Sequence, residues 1–177
     1  MNIPPPIVPS DTRTAAFIGH VPGSAEPVGT IHTCNSWPAF SQLAQLAPGH
    51  GWNDLAHAVH GFFLNGGRLC YVAESGAGCA SQVDSALAAL AQVDDISILA
   101  APGLNLAYIY DAVTAYCEAR RDCVAIFEGP ARLEDEVMNV LLGRSGEAGG
   151  WRMPPPSAGG FTTFYAPWIR VVDPAGA

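Results

Sequence analysis

The chain contains no lysine: its 8 basic residues are all arginine, set against 16 Asp and Glu. Without an ammonium group on a flexible stem, Schiff-base chemistry and P-loop phosphate binding are both excluded. The formal net charge of −8 makes a poor surface for a phosphate backbone, which is gripped by clustered basic side chains that release counterions. Nucleic acid is therefore not an expected partner. The same balance argues against docking on anionic lipid, and no apolar run approaches the ~20 residues needed to cross a bilayer. Met1 to Pro6 lack a basic stretch followed by an apolar one, so no secretory leader is read and the expected compartment is the cytoplasm. Cysteine is scarce and odd in number: Cys34, Cys70, Cys79, Cys117 and Cys123. Lying mostly in apolar context, they read as reduced thiols packed as small hydrophobes, and a disulfide framework is not expected.

What is present is a globular composition. The 177 residues are 49% hydrophobic and 14% charged, which suits about one domain, able to bury roughly 70% of its extended surface. The 19 Gly and 15 Pro follow no repeat, so they punctuate loops rather than build a rod. Residues 1–13 carry Pro4, Pro5, Pro6 and Pro9 and read as an extended arm. A single domain over 14–177 follows.

Ala15 to Gly19 is a short apolar run stopped by Pro22-Gly23, and Val28 to Cys34 is rich in β-branched residues; the two read as strands able to pair, with Pro27 pushing the second to an edge. Ser36 before Trp37-Pro38 reads as a helix start, with Phe40, Leu43 and Leu46 on one face and Pro48-Gly49 as the stop. Asn53 caps a second helix whose Leu55, Val59, Phe62 and Phe63 make an apolar stripe, ended by Asn65-Gly66-Gly67. Strand and helix then alternate: strand 69–73, helix 81–91, strand 96–100, helix 106–120, strand 123–127. The fold class is α/β, a parallel or mixed central sheet with helices on both faces. Residues 131–142 are weakly helical, 143–160 form a long Gly/Pro loop, and Phe161–Tyr165 with Trp168–Val172 close the chain as a strand or strand pair broken at Pro167.

The chemistry-bearing residues are dispersed. Asp11, Asp54, Asp84 and Asp94 are available to join Ser24, Ser36, Ser75 or Ser81 and a histidine in a triad, but no Gly-x-Ser-x-Gly elbow marks an activated serine. His57 and His60 lie three apart on the second helix, close enough to share a metal ion, yet with no Glu between them; a helix flank at a subunit or solvent boundary is the plainer reading. His32 and Cys34 share a strand face, where His20 is positioned to add a third zinc ligand, but no fourth is evident. Gly76, Gly78 and the helix start at Ser81 imitate a dinucleotide loop, with Ser in the third glycine position, and turn-making explains them better. Asp94-Asp95 reads as a solvated turn. Trp151, inside the Gly/Pro loop, is the best candidate for an exposed contact, its alternative being a loop anchor. No residue is assigned a catalytic, cofactor-binding or metal-binding role, and no cofactor is expected.

The order of segments resembles the tail sheath proteins of contractile phages and contractile injection systems. Thr14-Ala15-Ala16-Phe17-Ile18-Gly19 is similar to that family's first core strand, and Trp37-Pro38-Ala39-Phe40 to its short aromatic helix start. The most specific stretch is Leu55 to Val72, which resembles the family's helix, Asn-Gly-Gly turn and following strand. Val93 to Gly103 and Tyr165 to Pro174 continue the match in order, over residues 14–174 with gaps at the Gly-rich loops. Such order is harder to reach by chance than any single motif. The resemblance implies an α/β core, loosely subtilisin-like in topology, without a protease site.

Sheath proteins of this kind lend terminal strands to neighbours and continue past the Asp-Pro motif into a C-terminal domain that meets the inner tube. This chain ends three residues after Pro174, and the prolines of its arm remove four amide donors and suit strand pairing badly. The resemblance is to a truncated or reduced member. Its implied role is a structural, non-enzymatic subunit of a tail or injection particle. Implied partners are its own copies or full-length sheath subunits, with tube or baseplate proteins beside them. The alternative is a sheath-derived domain reused as an enzyme or small-molecule binder, its pocket near Glu74–Ser81 or Pro102–Asn105.

Overall fold

A computed structural model describes residues 14–46, 51–132, 134–149, 151–169, 172 and 174; the arm expected over 1–13 lies outside them. The strands are β1 (Thr14–Gly19), β2 (Ile31–Cys34), β3 (Leu69–Glu74), β4 (Ile98–Ala100), β5 (Val124–Glu128) and β6 (Thr162–Tyr165). They form one sheet in the order β2-β3-β1-β4-β5-β6, parallel throughout except for β2 against β3. The helices are α1 (Trp37–Leu43), α2 (Asp54–Leu64), α3 (Ala80–Leu90), α4 (Ala107–Arg120) and α5 (Asp135–Leu141). This is the expected α/β class.

The expected pairing of the first two strands does not occur. All six residues of β1 are buried, a continuous apolar run that suits the middle of a parallel sheet covered on both faces. β1 is accordingly flanked by β3 and β4, and β3 separates it from β2. The edge position that Pro27 implied for β2 is observed. A second correction concerns the chain end: β6 stops at Tyr165, and Trp168 and Ile169 belong to no strand. The amide-less Pro167 cannot continue the ladder. α1 is also shorter than expected, ending at Leu43, with Gln45 at φ 49° turning the chain; Pro48-Gly49 lies outside the described residues.

Alternation of side chains along the strands feeds two apolar layers. On one face Ala16, Ile18, Ala73, Leu99, Ala125 and Phe127 meet α3 and α4, with Val140 of α5 at the margin. On the other face Ala15, Phe17, Cys70 and Val72 meet Phe40 of α1 and Leu55, Ala56 and Val59 of α2. α2 begins as its sequence implies, the Asn53 Oδ1 accepting the Ala56 N–H at 3.0 Å. It ends where Gly66, at φ +90°, and Gly67 lead the chain into β3. A Cβ on Gly67 would sit 2.4 Å from the Phe62 ring. Gly67→Ala is therefore expected to cost about 1–3 kcal/mol by overpacking, measurable as a lower urea midpoint with unchanged slope.

Candidate functional site

Two places on the molecule collect functional chemistry: the C-terminal ends of the parallel strands, where ligands of open α/β sheets usually bind, and the β4–β6 side of the sheet. At the first, Gly19, His20, Asn53, Asp54, Gly76 and Pro102 to Leu104 line an open cleft of about 150 Å³. Drug-sized ligands occupy pockets of roughly 300–1,000 Å³, so this one suits at most a small group.

Polar side chains at and beneath the cleft hold its turns. Glu74, only 2% exposed, accepts the Val21 N–H at 3.0 Å on Oε2 and the Gly76 N–H at 2.7 Å on Oε1, which also meets His20 Nδ1 at 3.0 Å. Asn53 Nδ2 donates to the His20 carbonyl at 2.8 Å. At the end of β5, Glu128 Oε1 accepts the Gly103 N–H at 2.5 Å. Gly103 has φ +75° and a Cβ there would lie 2.3 Å from Asp54 Oδ2, so the approach of this turn to α2 requires glycine. These are clamps that close loops onto the sheet.

Burial pushes the Glu128 carboxyl above its ordinary range, against the Gly103 hydrogen bond and with help from the nearby Asp54 charge. A carboxyl raised on folding stabilises the fold below its unfolded pKa, and that contribution is lost as pH rises through the folded value. Glu128→Gln keeps the acceptor for Gly103 and removes the charge. It is expected to raise the melting temperature at pH 7 and to match the wild type near pH 4, which thermal melts at the two pH values check.

The other sequence candidates do not converge. His57 and His60 pack against aromatic rings rather than sharing a metal: His60 is 4.8 Å from Trp37 and 5.2 Å from Trp52, and His57 is 5.4 Å from Trp52, centroid to centroid. His32 and Cys34 on β2 are separated from His20 by β3, so the three do not form a zinc set. Among the described residues no group of three or more His, Cys, Asp or Glu is arranged around a metal position. Ser24 and Ser36 bond to their own neighbours, the Ser81 hydroxyl to Cys79, and the buried Ser75 hydroxyl has no partner among the described residues; Asp11 lies outside the described residues. Trp151, expected as an exposed contact, is 6% exposed. Its Nε1 donates to the Tyr110 hydroxyl at 3.1 Å, and that hydroxyl donates to the Glu128 carbonyl at 2.7 Å. It anchors the loop.

The second place is a bare sheet face. α1 and α2 cover β1 and β3 but stop short of β5. On that side Val124 and Ile126 are 38% and 37% exposed, while the alternate residues Ala125 and Phe127 are buried in the opposite layer. Register aligns Ile98 with Val124, Ala100 with Ile126, and Ile126 with Thr163 of β6. Tyr165 of β6, 63% exposed, carries the apolar surface to the edge strand, and after it Trp168 Nε1 donates to the Gly129 carbonyl at 2.8 Å while its neighbour Ile169 is 81% exposed. The strand itself was readable; that no helix among the described residues covers its Val124 and Ile126 side was not.

No family model and no curated protein matches the chain. Solved structures do. A chain of the anti-feeding prophage (AFP) baseplate, 6-fold symmetrised, has a TM-score of 0.57 at 15% identity, over 93% of this chain and 46% of that one. The sheath complex of PVC, an extracellular contractile injection system, in its contracted state gives 0.56 at 19% identity, over 95% and 44%. The AFP helical sheath in its contracted state gives 0.52 at 19% identity, over 73% and 40%. The fold is thus that of contractile injection system sheath components, as the order of segments implied, and the chain spans less than half the length of each. No helix among the described residues is long and apolar enough to cross a membrane.

Proposed function

We propose that the chain is a structural subunit with a sheath-type core, packing through its bare β4–β6 face on a second subunit of the same fold in a phage tail or injection particle. The observation that carries this is the apolar face itself: Val124, Ile126 and Tyr165 stand exposed on one side of the paired strands β5 and β6. A contiguous patch of this kind marks a protein contact. The likeness to components of a helical sheath and a baseplate supports a sheath-type subunit, of this chain or a longer one, as the occupant, with tube proteins as further neighbours. Such a role asks for surfaces rather than reacting groups. The cleft agrees with it, since Glu74 and Glu128 beneath it and His20 at its wall are engaged in holding turns. The place of action is the assembled particle.

The test is mass in solution by light scattering, alone and after mixing with the full-length sheath and tube proteins of the same source. Rings, rods or a stable mixed complex is the expected result. A discrete monomer indifferent to both partners would overturn the proposal.

A further inference from the structure

Four of the five cysteines stand in two buried pairs, while Cys79 alone is exposed. Cys117 lies in the last turn of α4 and Cys123 just before β5, and their sulfurs are 3.5 Å apart. The approach is set by Arg121, whose φ of 63° turns the chain back and whose N–H bonds the Cys117 carbonyl at 2.9 Å. Arg120 fixes the same corner: its guanidinium donates to the carbonyls of Val93 at 2.6 Å and Asp94 at 3.1 Å and grips Asp122 through two bonds. Cys34 and Cys70 are directly opposed in the antiparallel register of β2 and β3. Opposed residues in such a ladder have Cα atoms about 4.5 or 5.5 Å apart, and both spacings lie within the disulfide range.

Each pair also differentiates its two thiols. A hydrogen bond from Cys70 lowers the Cys34 pKa against the effect of burial, while Cys70 is pushed up. Cys123 is lowered by its bond with Cys117, with the Arg120 charge assisting, and Cys117 is pushed up.

We propose that Cys34–Cys70 and Cys117–Cys123 are two dithiol modification sites that close into intramolecular disulfides when the protein meets a disulfide oxidant. When the β2 edge or the α4–β5 corner opens locally, one thiolate of the pair attacks a sulfur of oxidised glutathione and releases a glutathione thiolate. The thiolate of its partner then attacks the mixed disulfide at the protein sulfur and releases the second. The pair loses two electrons, the reagent gains them, and the two thiol protons end on two reduced glutathiones. Closing Cys34–Cys70 ties the four-residue edge strand β2 to β3 across a long loop, where a crosslink restricts the unfolded chain most.

The experiment incubates the native wild-type protein with oxidised glutathione, then counts thiols, measures intact mass and maps peptides. The expected result is loss of two hydrogens per closed pair, the two linkages above, Cys79 as the remaining thiol or as a glutathione adduct, and reversal by dithiothreitol. The melting temperature is expected to rise by about 10 °C on oxidation, and most of that rise to be absent in Cys70→Ala. Modification confined to Cys79, or linkages that cross the two pairs, would overturn the proposal. The peptide map decides it on the wild type even if Cys70→Ala does not fold.

Discussion

Glu74→Ala is expected to lower folding stability by about 3–5 kcal/mol. The carboxylate is almost fully buried at the end of β3 and holds the Val21 and Gly76 amides and the His20 ring. Val21 is itself fully buried, so its N–H would be left without a partner and away from water, and buried unmet donors cost about 1–3 kcal/mol each. Glu74→Gln keeps one oxygen acceptor and is expected to lose about half as much. Urea melts of the three proteins measure the difference. A loss below about 1 kcal/mol for the alanine variant would show that the turns after β1 and β3 are held by something other than this carboxylate.

The double variant Val124→Glu with Ile126→Glu is expected to leave the melting temperature within a few degrees of wild type and to weaken assembly at least ~100-fold. Both side chains are over a third exposed on the bare side of β5, so charges there stay solvated in the free subunit and change stability little. In a contact they must be desolvated without partners, and a loss near 3 kcal/mol is already a hundredfold in affinity. Gln92→Glu, an exposed position after α3 on the opposite layer, serves as the control and is expected to assemble normally. Titration of each variant against the full-length sheath protein by light scattering separates the outcomes; equal assembly of all three would remove β5 from the contact.

Local signals were legible where local physics decides. The Asn53 cap, the apolar stripe of α2 and the Gly66-Gly67 exit appear as their residues imply, because each rests on neighbours within one or two turns. The alternation of helix and strand from Leu69 to Glu128 is likewise as read. Non-local pairing was not legible: a run as apolar as Thr14–Gly19 fits the centre of a parallel sheet, but nothing in it names β3 and β4 as its neighbours. Trp151 reads as exposed because Gly and Pro surround it, and only Tyr110, 41 residues away, reveals the anchor. Of the cleft, the stretches at Glu74 and Pro102 were legible, while His20, Asn53 and Glu128 were not. The signal was a carboxylate closing each of two otherwise apolar strands, Leu69–Glu74 and Val124–Glu128, which marks strand ends facing a common rim.

Hydrogen exchange of the subunit, free and mixed with the full-length sheath protein of its source, tests the assembly surface most directly. Slower exchange over 124–128 and 162–169 in the mixture, with the cleft turns at 19–21 and 74–78 unchanged, is the expected result. Protection centred on the cleft, or none anywhere, would contradict a structural role through the β4–β6 face.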